Sequence, residues 1–266
     1  MPNTTPLFAF LWCCFFAIPI LGSSEQVAPR SDTCIDPKYE VHVFSKTPLV
    51  IYISDFLTEA ESEHLQEITQ DSFSHSAVSD ESGTQGQRST RTSQSASVVR
   101  DPIVRCIENR ALKFQGFDTP RTHLEPLQLV KYSQNQQYHL HTDWFEAESQ
   151  ITNEFGGNRE SSFFVYVKSD NVTGGGTNFP MLEAPRDERW CGFVDCDEAW
   201  DNGVTFRPLR GSAVFWQNLG SDGMGDPATL HAGLPVTHGE KIGMNIWTRQ
   251  WPLSEEYRGV NDENEL

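Results

Sequence analysis

Positive charge is scarce in this 266-residue chain: 20 Lys and Arg face 37 Asp and Glu, for a formal net charge of −17. So acidic a surface repels phosphate backbones, which argues against nucleic acid and anionic membranes as partners and favours a neutral or cationic substrate. The first 24 positions carry no charged residue at all, so the whole excess belongs to the remainder. No internal repeat is visible, which sets aside solenoids and propellers. Cysteine is sparse as well. The four cysteines beyond residue 24 include no CxxC pair, so a structural zinc site is disfavoured.

What the chain does have is apolar bulk: 37% hydrophobic residues, with 17 Phe and 7 Trp, enough for a real core and against wholesale disorder. Leu7 to Leu21 is an uncharged apolar run followed by Gly22, Ser23 and Ser24. It is short for a bilayer span of about 20 residues and suits a secretory signal peptide cleaved near Ser24 or Glu25, with a short uncleaved anchor as the alternative. The expected layout is a signal peptide (or anchor) at 1–24, a linker at 25–44, one catalytic-size domain at 45–252 and an acidic tail at 253–266. Cys34, Cys106, Cys191 and Cys196 then form an even set for two disulfides in an oxidising compartment. Three pairings are open, and Cys191 and Cys196 lie close enough in sequence to pair. Asn171-Val172-Thr173 is a glycosylation sequon in a loop, and Asn264-Glu265-Leu266 faintly resembles an endoplasmic-reticulum retrieval tail. The expected location is the secretory pathway, either the reticulum lumen or outside the cell.

The periodicity predicts a helical front and a stranded back. Thr58 to Glu61 reads as a capping box opening a helix over 58–71. Asp101 as cap and Pro102 at the first position open a second helix, which Gly116 ends. Residues 72–97, rich in Ser, Thr, Gln and Gly, read as a mobile surface loop. Expected strands are Pro126–Tyr132, Phe163–Val167, Ser212–Leu219 and Lys241–Arg249. Short antiparallel strands with long excursions suggest a mainly β fold, a barrel or double-sheet jelly roll with helices packed outside.

Chemistry concentrates at His141-Thr142-Asp143 and His231. In an extended strand the His141 and Asp143 side chains point the same way. Two imidazoles and one carboxylate on one face leave three open positions on an octahedral Fe(II), the pattern of non-haem oxygenases. Lys241 follows His231 by ten residues and shares a strand face with Gly243, Asn245 and Trp247. A buried ammonium needs a partner, no carboxylate of this strand shares its face, and a ligand carboxylate is therefore attractive.

These residues sit among ordered motifs: Leu127 to Tyr132, Tyr138 to Asp143, Gly174-Gly175-Gly176-Thr177-Asn178-Phe179-Pro180, Arg210 to Trp216, His231 to Val236 and Asn245-Ile246-Trp247. Together they resemble the catalytic domain of the prolyl 4-hydroxylases, a branch of the Fe(II)/2-oxoglutarate dioxygenases, over about residues 45–250. Upstream, Arg91 to Ser95 resembles a family segment that helps hold the peptide substrate.

The resemblance implies a double-stranded β-helix (jelly-roll) core, Fe(II) held by His141, Asp143 and His231, and 2-oxoglutarate met by Lys241 and Tyr132. It places Tyr166 and Thr177 in the cosubstrate pocket and Arg91, Ser93, Tyr138, Arg159 and Trp247 on the substrate side. The implied reaction is 4-hydroxylation of peptidyl proline with release of succinate and carbon dioxide, dependent on ascorbate. Alternatives are the same chemistry on another side chain or a small secreted metabolite, and a jelly-roll binding module without catalysis. The chain departs from the family at Thr142, Trp144 and Phe145, and in the stretches 146–160 and 181–203. No peptide-binding domain like that of collagen hydroxylase subunits is expected, so the chain is expected to act on proline-containing segments without a dedicated partner subunit.

Overall fold

The computed structural model describes Met1 and residues 34–79, 85–86, 89–116 and 119–258. The expected signal segment, residues 25–33 of the expected linker and the tail beyond Arg258 lie outside the described residues. No helix among the described residues is long and apolar enough to cross a membrane.

The main strands in chain order are β1 (Glu40–Lys46), β2 (Leu49–Ser54), β3 (Ser74–His75), β4 (Gln94–Ser97), β5 (Gln128–Tyr132) and β6 (Tyr138–His141). They continue with β7 (Arg159–Lys168), β8 (Thr177–Phe179), β9 (Val204–Phe206), β10 (Ala213–Gln217), β11 (His231–Gly233) and β12 (Lys241–Arg249). Helices are α1 (Glu59–Thr69), α2 (Pro102–Gln115) and the short α3 (Glu255–Arg258). A large antiparallel sheet runs β1-β2-β10-β7-β12-β5-β4-β3, and a small one runs β9-β8-β11-β6. The two face each other as a double-stranded β-helix, and α1 and α2 cover the outside of the large sheet.

Alternation along the central strands explains this layering. In β7, Phe163, Val165 and Val167 pack with Leu65, Val104 and Ile107 of the helices, while Phe164 and Tyr166 turn toward Phe179 and Phe206 of the small sheet. In β10, Phe215 faces the helices and Val214 and Trp216 face inward. A strand buried on both sides reads as an unbroken apolar run, and each large side chain so buried contributes about 1.5–3 kcal/mol.

The helices begin where their caps predict. Thr58 Oγ1 accepts the Glu61 N–H at 3.2 Å, and the Glu61 carboxylate accepts the Thr58 N–H at 2.8 Å. The same carboxylate takes Arg110 of α2 at 2.6 Å, so one Glu caps α1 and ties the helices together. Asp101 accepts the Val104 N–H at 2.8 Å, and Gly116 closes α2.

One expectation is corrected, and two expected segments gain structure. Residues 72–97 are not simply a surface loop: β4 pairs with β5, β3 pairs with β4, and Ser76, Ser93 and Ala96 are buried. Small and polar residues disguised a strand whose stability comes from its ladder. The expected linker takes in Glu40 to Phe44 of β1, an edge strand with Val41 and Val43 exposed, and Cys34 in it is bonded to Cys106 of α2. Within the expected acidic tail, Leu253 and Arg258 are buried. The expected strands at Pro126–Tyr132, Phe163–Val167, Ser212–Leu219 and Lys241–Arg249 are present as β5, β7, β10 and β12.

Candidate active site

The small sheet brings two histidines opposite one another. β6 and β11 are antiparallel neighbours in which His141 pairs with His231. Asp143 follows β6 by two residues, and one ligand atom from each of the three side chains lies within 4.8 Å of the others. His141 Nε2 is 3.9 Å from Asp143 Oδ1, and His231 Nε2 is 4.0 Å from Oδ2.

Each side chain is oriented from behind. His141 Nδ1 meets the His139 carbonyl at 2.8 Å, and His231 Nδ1 meets the Thr229 carbonyl at 2.9 Å. A carbonyl only accepts, so Nδ1 carries the proton in both rings and each Nε2 presents a lone pair to the centre. Tyr138 stacks on the His141 ring at 3.6 Å, while Phe179 and Trp216 flank His231. Asp143 Oδ2 accepts from Ser162 Oγ at 2.6 Å and from Trp247 Nε1 at 3.0 Å.

The electrostatics match. Burial, and then the neighbouring His231, press the His141 pKa down to about 3, so this ring is neutral at physiological pH. Burial would raise Asp143, but His231, Arg159, His141 and the Ser162 hydrogen bond hold it down at about 2. Two imidazoles, each with Nε2 turned to the centre, and one carboxylate form a donor set suited to a divalent iron ion.

Lys241, at the start of β12, is fully buried. Its Nζ donates to the Gly175 carbonyl at 2.5 Å and lies 4.6 Å from the Tyr132 ring centre and 5.3 Å from that of Phe164. Gly175 has φ +68° in the glycine-rich turn, and the Lys241 stem passes 3.5 Å from where its Cβ would stand. No carboxylate among the described residues pairs with this ammonium, and burial alone lowers its pKa from 10.5 to about 7. A buried cation with no carboxylate partner fits an anionic cosubstrate.

A cavity of ≈ 1350 Å³ opens over the triad, and Tyr132, Phe164 and Thr177 line it, with Lys241 and Tyr166 one layer behind. Tyr166 donates to Thr177 Oγ1 at 2.7 Å, and burial pushes the Tyr132 hydroxyl up to about 12 while Ser93 hydrogen-bonds it. Of the expected substrate residues, Arg91, Tyr138, Arg159 and Trp247 line the cavity and Ser93 lies behind. Arg91 lies over the Tyr138 ring at 4.7 Å and contacts Ser93 Oγ at 3.3 Å. Arg159 grips Glu125 through two bonds of 2.7 and 2.9 Å and lies 3.5 Å from the Trp247 ring centre. Trp247 therefore has a second duty, since its indole N–H holds Asp143.

The four described cysteines form two disulfides, Cys34–Cys106 and Cys191–Cys196. Asn171 is exposed in the turn after β7, at φ 57°. Sequence reasoning missed Ser162, Glu125, Arg249 and Phe145. Ser162 carried a signal, being a small polar residue two and four positions before the inward Phe164 and Tyr166. Glu125 and Arg249 carried none, because only folding brings that carboxylate between the two guanidinium groups, with Arg249 Nε at 2.5 Å.

Comparison with known proteins agrees with this geometry. The family model of the 2OG-Fe(II) oxygenase superfamily matches residues 127–249, a span that holds the triad and Lys241. Probable prolyl 4-hydroxylase 4 of Arabidopsis thaliana is 33% identical over 243 residues, covering 88% of this chain and 78% of that protein. Prolyl 4-hydroxylase subunit alpha-1 of Rattus norvegicus is 32% identical over 208 residues, 76% of this chain but 35% of the subunit. Among solved structures, the viral collagen prolyl hydroxylase of Paramecium Bursaria Chlorella virus-1, in its 2OG complex, shares the fold. Its TM-score is 0.52 at 22% identity, over 80% of this chain and 97% of that one. The chain belongs to the prolyl 4-hydroxylase family, and it is a 2-oxoglutarate-dependent dioxygenase.

Proposed function

We propose that this enzyme hydroxylates C4 of proline in peptides, with His141, Asp143 and His231 holding Fe(II) and with Lys241 and Tyr132 receiving the distal carboxylate of 2-oxoglutarate. One observation carries the reading: a two-histidine, one-carboxylate set and a buried ammonium with no carboxylate partner among the described residues are built into the same barrel interior. When bound, iron and 2-oxoglutarate supply the oxidant for the C–H bond, with succinate and carbon dioxide as by-products and ascorbate restoring iron oxidised in uncoupled turnover. The protein's part is positional. The histidine carbonyl bonds fix both Nε2 lone pairs, and Ser162 and Trp247 fix the carboxylate. Thr177 forms the far wall of the cosubstrate pocket, held from behind by the Tyr166 hydroxyl. Arg91, Tyr138, Arg159 and Trp247 line the open side, where a peptide would lie, with Ser93 supporting Arg91.

The reading extends to the cell. Two disulfides suit an oxidising compartment, and with the apolar leader they support a signal peptide, the secretory pathway and glycosylation at exposed Asn171. The catalytic unit would work without a dedicated partner subunit.

Mass spectrometry of proline-rich peptides incubated with the protein, Fe(II), 2-oxoglutarate and ascorbate tests the proposal, with succinate followed in parallel. One added oxygen on proline, lost on iron chelation, is expected. Succinate without peptide oxidation would move the chemistry to another side chain or a small metabolite. Neither product, with metal bound, would leave a binding module.

A further inference from the structure

Asp143 follows β6 and His231 opens β11, so the spacing between these ligands depends on how two separate loops are held. We propose that Asn218, Asp226 and Trp144 are positioning residues that set this spacing through a continuous chain of hydrogen bonds from one ligand to the other. The inference rests on the reading of the triad as an iron site.

The chain starts at Asp143, whose Oδ2 accepts the Ser162 hydroxyl proton at 2.6 Å. With that proton committed, Ser162 Oγ is left as an acceptor, and the buried Asn218 fills the role by donating Nδ2 at 2.9 Å. The main-chain carbonyl of Asn218 then accepts the Asp226 N–H at 2.8 Å. The Asp226 carboxylate accepts the Ala228 N–H at 2.9 Å, and its carbonyl accepts both the N–H and the hydroxyl of Thr229, at 3.0 and 2.7 Å. The Thr229 carbonyl, finally, accepts His231 Nδ1–H at 2.9 Å. Every link has a defined donor and acceptor, so movement at one end is opposed at the other.

A second path shortens the circuit. Trp144, adjacent to Asp143, donates its indole N–H to the Asp226 carbonyl at 3.3 Å. Its ring lies flat against Gly225, where a Cβ would stand 2.1 Å from the indole. Only glycine allows that approach. Trp144 is one of the departures from the family pattern, and the contact gives it a reason.

The direction of the Asn218 bond makes the inference sharp. An amide must donate to Ser162, whereas a carboxylate can only accept and would draw the serine proton away from Asp143. The test uses the full chain without oxygen, with Fe(II) affinity read by competition with a chelator and ligand geometry read from the visible spectrum of the Co(II)-loaded protein. Asn218→Asp and Asn218→Ala are expected to weaken Fe(II) binding about 10–100-fold, as loss of outer-shell partners does, and to change the Co(II) spectrum. Trp144→Phe keeps an aromatic ring, smaller than the indole, and drops the hydrogen bond, for about a 3–10-fold loss. Thermal unfolding of the metal-free variants separates positioning from folding. Wild-type affinity and spectrum in a folded Asn218→Asp variant would overturn the inference. If that variant does not fold, Trp144→Phe and Ser162→Ala decide it by the same two readouts. Absence of Fe(II) binding in the unaltered protein would overturn the site reading and the inference together, whereas tight binding insensitive to these variants would overturn the inference alone.

Discussion

Two ends of one barrel interior treat buried polarity in opposite ways. At the triad, both histidines are held from behind by carbonyls and Asp143 is held by Ser162 and Trp247. At the other end, Lys241 is just as deeply buried but has one carbonyl for a partner and no carboxylate among the described residues. A satisfied cluster fixes geometry in advance, whereas an unsatisfied charge raises the energy of the empty protein and lowers it again when its counter-ion arrives. On the proposed function, the difference separates a metal-shaping end from a ligand-receiving end.

The largest expected effect breaks the first end. His231→Ala removes a ligand rather than a supporting group, so turnover should fall well beyond the roughly 10–100-fold that loss of an outer-shell partner causes. Full activity in that variant, measured by succinate release, would remove the triad from the chemistry.

Lys241→Met attacks the second end and should separate stability from binding. Below pH 7, removing a buried ammonium that has no carboxylate partner while keeping its apolar stem should leave the ligand-free protein equally or more stable, by about 1–3 kcal/mol. Cosubstrate affinity should fall at least about tenfold with Fe(II) affinity nearly unchanged, as two calorimetric titrations would show. A variant that is destabilised and still binds 2-oxoglutarate normally would make Lys241 a structural residue.

Smaller effects sharpen the comparison at the rim. Arg159→Lys loses the two-pronged grip on Glu125 and the flat contact with Trp247. It should raise peptide KM several-fold, about 1 kcal/mol, while cosubstrate KM stays put. Away from the cavity, the disulfides should affect stability alone. With a sequence separation of 72, removing Cys34–Cys106 should cost about 4 kcal/mol, and removing Cys191–Cys196, with a separation of 5, about 2 kcal/mol. Thermal unfolding with parallel activity assays would check both.

The same contrast governs what the sequence disclosed. The triad, Lys241 and the glycine-rich turn were legible because their chemistry demands particular residue types in order, and the capping box of α1 because its rule is local. β4 was hidden: Gln94 to Ser97 has a loop's composition, and only its pairing with β5 makes it a strand. β2, by contrast, was readable in Leu49 to Tyr52 and was overlooked beside the stronger helix signal that follows. Ser162, Asn218 and Glu125 are single polar residues far apart in the chain, and their roles exist only after folding.

The most direct test of the account is proton uptake on cosubstrate binding. In the empty protein Lys241 loses its proton near pH 7 rather than 10.5, because burial disfavours the charged form. Below pH 7 the full burden of the buried charge is present. Between pH 7 and 10.5 the unfolded chain holds a proton that the folded one has released, so stability from this group rises with pH through that window. A carboxylate arriving beside Lys241 restores the charged form. Calorimetry of 2-oxoglutarate binding to the Fe(II) protein without oxygen, at pH 8 in buffers of different ionisation enthalpy, should therefore show uptake of a substantial fraction of one proton, abolished in Lys241→Met. Equal binding with no proton taken up in either protein would contradict the assignment of this end of the barrel to the cosubstrate.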